Sequence, residues 1–251
     1  MKISKTSLFE YFLSRKMTWL YIGYLILGCV FTSNFYGGKE YFDIFMGTLL
    51  HFQFRTVFMS PTFLLIFINL YQYIANQKEI LIRLNTRQKV LKFEIGMIFK
   101  VTLFFFIIML LIIAVFCNVI PKSGMGMTLG TSYQNSHAIG FITLSLLRIF
   151  LMLFTIGLLT LLISSKFNSQ KYSIIIGLII FLLLNTLTEI LVGKHWYHFI
   201  NPAYHAFGFS VTDNILTGFI SGFIYYVIVI SILIILLRKV VKKQNIGIYK
   251  K

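Results

Sequence analysis

The chain has 251 residues, of which 58% are hydrophobic and only 12% charged, with a mean hydropathy of +0.84. So few charges cannot cover the surface of a water-soluble domain of this size, so lipid is the natural solvent. The net charge of +16 does not point to nucleic acid, because the cations sit at the ends of apolar runs and form no basic domain of their own.

Taken in order, the amino terminus carries Lys2, Lys5, Arg15 and Lys16. Ser7 with Glu10 matches a capping box, and Leu8, Phe12 and Trp19 share a face. These features predict a helix over about 7–16 lying in the membrane interface. No small-residue cleavage site follows the first apolar run, so a removable signal peptide is not expected. A first membrane span is predicted over about 17–35, near the ~20 residues that cross hydrocarbon. A glycine turn follows at 36–40. A second span, over about 52–74, contains Pro61, which removes a backbone donor and predicts a kink. Arg55 lies near the outer end of that span, within snorkelling reach of the interface.

A basic loop comes next, with Lys78, Arg83, Arg87, Lys89, Lys92 and Lys100. Asn85 and Thr86 are good N-cap types, so a short helix to about Leu84, a break and a new helix into span three (about 95–120) are expected. Lys89, Lys92 and Lys100 are spaced to share a helix face with Gly96. Pro121 ends that span and a polar, glycine-rich outer loop follows. Span four covers about 139–164 and holds Arg148; span five covers about 172–192, with Glu189 near its outer end. The short link between them carries Lys166 and Lys171. An aromatic, histidine-rich segment over about 193–214 reads as lying along the outer interface. Span six covers about 215–237, before a basic tail.

Under this layout eighteen cations lie on one side, and only Lys39, Lys122 and Lys194 on the other. The positive-inside rule then places both termini in the cytoplasm and requires an even number of spans. The expected fold is an all-α polytopic membrane protein: one six-helix domain over 1–251 with an N-terminal interfacial helix.

No nucleotide-cradling GxxxxGK[ST], no HExxH and no GxSxG is present, so the common hydrolase constellations are excluded. Cys29 and Cys117 lie in apolar runs and form no zinc pattern; buried thiols are expected, with a bridge as the alternative. His195 and His198 have i, i+3 spacing, with His205 beyond and His51 and His137 also outward. No carboxylate or cysteine is arranged around them, which favours interfacial histidines over a metal site. Arg148 is too deep for easy snorkelling, so it either faces a central cavity or pairs with Glu189. Gly218 and Gly222 form a GxxxG that permits close helix approach, within the protomer or at a dimer seam. The basic loop either only sets topology and meets lipid headgroups, or docks a cytosolic partner through its charges.

This pattern resembles the permease subunit of ABC-2 type ABC transporters. The matching features are SLFEYFLSRK, six spans, the loop KEILIRLNTRQKVLKFE, the tight hairpin around SSKFNSQKYS and the outer segment HFINPAYHAFGF. The resemblance implies a coupling segment within about 75–94, carried by Lys78, Glu79, Arg83, Arg87 and Lys89, that docks on a separate cytosolic ATPase. It further implies a plasma-membrane assembly of two permease protomers, identical or homologous, with two ATPase subunits. ATP and Mg would be bound by the ATPase and no cofactor by this chain. The substrate class implied is a peptide, bacteriocin or amphipathic drug. Larger family members carry bigger extracellular domains or fused ATPases, and this chain has neither. The competing readings are a membrane-embedded enzyme using the outer histidines and a non-transporting immunity or accessory protein.

Overall fold

The computed structural model describes residues 16–33, 41–51, 54–75, 86–119, 138–167, 176, 179 and 215–243. Among these every regular element is helical and there is no strand. The helices are α1 (Lys16–Ser33), α2 (Tyr41–Leu50), a π-helical turn (Phe54–Met59) running into α3 (Ser60–Ala75), α4 (Arg87–Val119), α5 (Ala138–Phe167) and α6 (Ile215–Lys243). Among the described residues three helices are long and apolar enough to cross a membrane, over Gln88–Val119, Thr143–Ser165 and Gly222–Val241; Lys16–Thr32 and Val57–Phe67 are shorter apolar helices. Helices follow from the solvent, since a backbone in hydrocarbon has no water to bond and must satisfy itself within the segment.

The chain divides into two compact units. The first contains α1, α2, the π turn, α3 and α4 from Ile107 onward. Its organising contact is between α1 and the π turn. A Cβ built on Gly28 would lie 2.5 Å from Cγ of Phe58, so the absent side chain is what admits that ring. Tyr24 and Phe31 flank the notch, with ring centroids 5.0 and 6.2 Å from that of Phe58. Asn69 of α3 donates to the Tyr21 hydroxyl at 3.1 Å and ties the other end of the pair.

The disturbance expected at Pro61 takes the form of π register in the turn just before it. In α-helical register the carbonyl of Val57 would accept from residue 61, which as proline has no N–H. The Tyr24 hydroxyl donates to that carbonyl instead, at 3.2 Å. Ser60 Oγ donates to the carbonyl of Arg55 at 2.6 Å, and Thr62 Oγ1 to that of Phe58 at 2.6 Å. Side chains thus close a ladder that proline and the wider turn leave open. Helix α2 was not expected from the sequence, although YFDIFMGTLL is apolar enough to have suggested it. Ile44 and Leu49 are buried in this unit, as are Cys29 and Cys117, both free thiols.

The second unit contains α4 up to Phe106, α5 and α6. Helix α5 is buried around almost its whole circumference from Met152 to Leu161. It buries 72% of its apolar window, whereas α6 buries 17%, so α5 is central and α6 peripheral. Helix α6 packs on α5. Gly222, Tyr226, Leu233 and Leu237 form the buried stripe of α6, while Phe223, Ile224, Val227, Ile228, Ile232 and Ile235 are exposed. A ladder of aromatic edges joins α4 to α5. Phe99 meets Phe150 and Phe154 at 5.5 and 6.0 Å, and Phe106 meets Phe150 at 5.7 Å, all near perpendicular.

The predicted interfacial helix over 7–16 falls outside the described residues except for Lys16, which begins α1. Span five over 172–192 has only Ile176 and Ile179 described, and the segment over 193–214 lies outside altogether.

The Gly28 notch generates a direct test. Gly28→Ala should destabilise the protein by about 1–3 kcal/mol through overpacking, read as a lower unfolding midpoint in detergent. The same change in a Phe58→Ala background, which removes the ring and its Cγ, should cost less. Tyr24→Phe should cost about 1–2 kcal/mol, because the Val57 carbonyl then loses its donor.

Candidate functional site

The amino-terminal entry to α4 is the best defined of the predicted sites. Thr86 caps it: the Lys89 N–H donates to Thr86 Oγ1 at 3.4 Å, and the Val90 N–H to the Thr86 carbonyl at 3.1 Å. The helix start foreseen after Asn85–Thr86 is therefore present, while the short helix expected before it lies outside the described residues. Beyond the cap, α4 is one unbroken helix of 33 residues. At ~1.5 Å per residue that is about 50 Å, against a hydrocarbon core of about 30 Å. From Val101 to Val119 the helix carries no charged residue, so the excess length falls at the amino end, over 87–100. Lys89, Lys92, Gly96 and Lys100 are all exposed, and they share a face as their spacing predicts. Arg87 is the first residue of α4. Lys78, Glu79 and Arg83 lie outside the described residues.

A second polar site sits in the second unit. Arg148 is only 7% exposed and Tyr226 is fully buried. The guanidinium and the phenol are close enough to interact electrostatically. Tyr226 in turn meets Tyr225 edge to face at 5.4 Å. Ser145, one helical turn before Arg148, is buried, and its hydroxyl has no hydrogen-bond partner among the described residues; the same holds for Thr102 on α4. Glu189, the partner considered for Arg148, lies outside the described residues. Sequence reasoning had not found Tyr226. A tyrosine in a long apolar helix gives no signal of its own until α6 is docked on α5. Gly222 lies on the buried stripe of α6 one turn from Tyr226, and Gly218 lies in the first turns of that helix.

At the start of the first unit's π turn, His51 joins the end of α2 to Arg55 through backbone bonds: its N–H donates to the Thr48 carbonyl at 3.3 Å, and its own carbonyl accepts from the Arg55 N–H at 3.1 Å. Burial, and secondarily the nearby Arg55 cation, hold the imidazole below its ordinary value of 6.5. Among the described residues no three His, Cys, Asp or Glu side chains come together in a way that could hold a metal. His137, His195, His198 and His205 lie outside the described residues.

No protein-family model, curated protein or solved structure matches this chain.

Two measurements follow. Because the folded state depresses the His51 pKa, the neutral form stabilises the fold above pH 6.5. That contribution should fade as pH falls below 6.5 towards the depressed value, and His51→Gln should flatten the acid limb of a stability–pH curve. Arg148→Met keeps the volume but removes a buried cation together with the interactions it makes. It should destabilise the fold by about 1–3 kcal/mol, read by thermal unfolding in detergent.

Proposed function

We propose that this chain is the membrane-spanning permease subunit of an ABC-2 type transporter, driven by ATP hydrolysis on a separate cytosolic ATPase. The observation that carries this reading is the capped, cation-bearing extension of α4, with exposed Lys89 and Lys92 ahead of its apolar span. A rigid rod that projects past the hydrocarbon and continues unbroken to Val119 turns a push at its cytoplasmic end into movement of the whole helix. The preceding cations Lys78, Arg83 and Arg87, with Glu79, complete the docking surface at about 75–94. With no phosphate-cradling motif in this chain, energy must enter from a partner.

In this reading the protein has six spans with both termini in the cytoplasm, and resides in the plasma membrane. It pairs with a second permease protomer, identical or homologous, and with an ATPase dimer that holds ATP and Mg. Closure of the ATPases on ATP displaces the coupling segment, and the pathway between protomers opens outward. The exported substrate is a peptide, bacteriocin or amphipathic drug-like molecule.

Co-purification of a cytosolic ATPase with this chain, followed by an ATPase assay with and without it, tests the assignment. Charge reversal at Arg83, Arg87 and Lys89 together should weaken the partnership on the order of tenfold or more, since it sets like charges against each other. Transport that survives this reversal overturns the docking assignment. Alanine at His195, His198 and His205 should leave transport largely intact; abolished activity would instead favour the enzyme reading.

A further inference from the structure

Beyond its amino-terminal cap, α4 presents one continuous exposed stripe: Lys92, Gly96 and Lys100, then Leu103, Ile107 and Leu111. The steps between these residues are three or four, so they follow one face of the helix. The stripe changes character once. Its first half is cationic around a glycine, and its second half is wholly aliphatic. Among the described residues nothing lies within 4 Å of where a Cβ on Gly96 would stand, so they leave the surface between the two lysines open. Lys92 and Lys100 are eight residues apart, about 12 Å along the axis. Each can therefore lean towards Gly96 from one side. Lys100 is the last charged residue before the apolar span that runs to Val119, which sets Lys100 at headgroup depth when the span fills the hydrocarbon and leaves Lys92 at the outer edge of the headgroups, reaching back along its long side chain.

We infer that this face of α4 is a binding site for one anionic phospholipid, its phosphate seated over Gly96 between Lys92 and Lys100 and an acyl chain lying along Leu103, Ile107 and Leu111. Charge and depth select the occupant together. A soluble anion would make no use of the aliphatic half, and a cytosolic protein could not reach it. A zwitterionic lipid would match the aliphatic half but return a positive headgroup to the two lysines. The open backbone at Gly96 lets a phosphate approach the helix more closely than any side chain would allow. The site meets the docking surface at about 75–94 only at Lys92, its Gly96 seat and aliphatic half lying beyond it, and it does not depend on the transporter assignment.

The test uses the full chain in detergent, offered dioleoyl phosphatidylglycerol and dioleoyl phosphatidylcholine together, with retained lipid read by native mass spectrometry. The parent should retain one phosphatidylglycerol in preference to phosphatidylcholine. Lys92→Gln and Lys100→Gln should each lower that preference about fivefold, as expected for one cation near an anionic surface. Gly96→Leu, which keeps every charge, should lower it as well by filling the seat. Arg238→Gln with Lys239→Gln, a pair of exposed cations on α6, should leave it unchanged. Equal retention of the two lipids by the parent overturns the site. So does a Gly96→Leu variant with parental preference, or an α6 pair that weakens binding as much as the α4 pair, since either result means diffuse charge only. Loss of a cytosolic protein partner from the Lys92 and Lys100 variants, with phosphatidylglycerol still retained, assigns the face to that partner and overturns the lipid site too.

Discussion

The structure depends on one constraint: within hydrocarbon, every backbone donor and acceptor must find its partner inside the protein. Unbroken helices meet it at no further cost. Hydroxyl side chains meet it for themselves by bonding back one turn, as Thr32 does to Gly28, Thr155 to Leu151, Thr160 to Ile156 and Ser231 to Val227. These residues are therefore compatible with an apolar helix and need no functional explanation. The place where the constraint is hardest to meet is ahead of Pro61. There the helix widens into π register, and Tyr24 reaches across from α1 to the Val57 carbonyl. The same crossing seats Phe58 on Gly28. One proline thus explains the polar contact and sits close in the chain to the ring that fills the Gly28 notch.

Lipid as solvent also explains how the other helices divide their surfaces. Helices α1, α4 and α6 each bury a narrow stripe and expose a broad aliphatic face. Such a face would be a liability in water. Helix α5 differs, since its middle is enclosed on nearly all sides, and it is the helix that carries Arg148. A guanidinium is tolerated there because it is buried within protein and kept off the acyl chains. The charges on α4 follow the opposite logic. Lys89, Lys92 and Lys100 stay exposed because the helix is longer than the hydrocarbon is thick, and its surplus turns reach the headgroups and the water beyond.

Much of this was legible in the residues. The helical class, the long spans of α4, α5 and α6, the Thr86 cap and the shared face of Lys89, Lys92, Gly96 and Lys100 all rest on local rules of hydropathy, capping and period. Those rules act within one segment, so the order of residues along the chain determines the outcome. Tertiary structure decided what depends on residues far apart in the chain. Gly28 is unremarked in sequence until Phe58 comes to lie on it, 30 positions away. Tyr24 is one interfacial-looking aromatic among many until Pro61 orphans the Val57 carbonyl beside it. Arg148 is recognisable from its position as a charge in the wrong solvent, but Tyr226 beside it required α6 to pack on α5. The physical reason is common to all three. In an apolar chain nearly every side chain can be buried equally well, so hydrophobicity alone cannot choose partners. Shape at a glycine, a missing donor at a proline and one charge that must be sheltered make the choice, and each acts only once the helices are together.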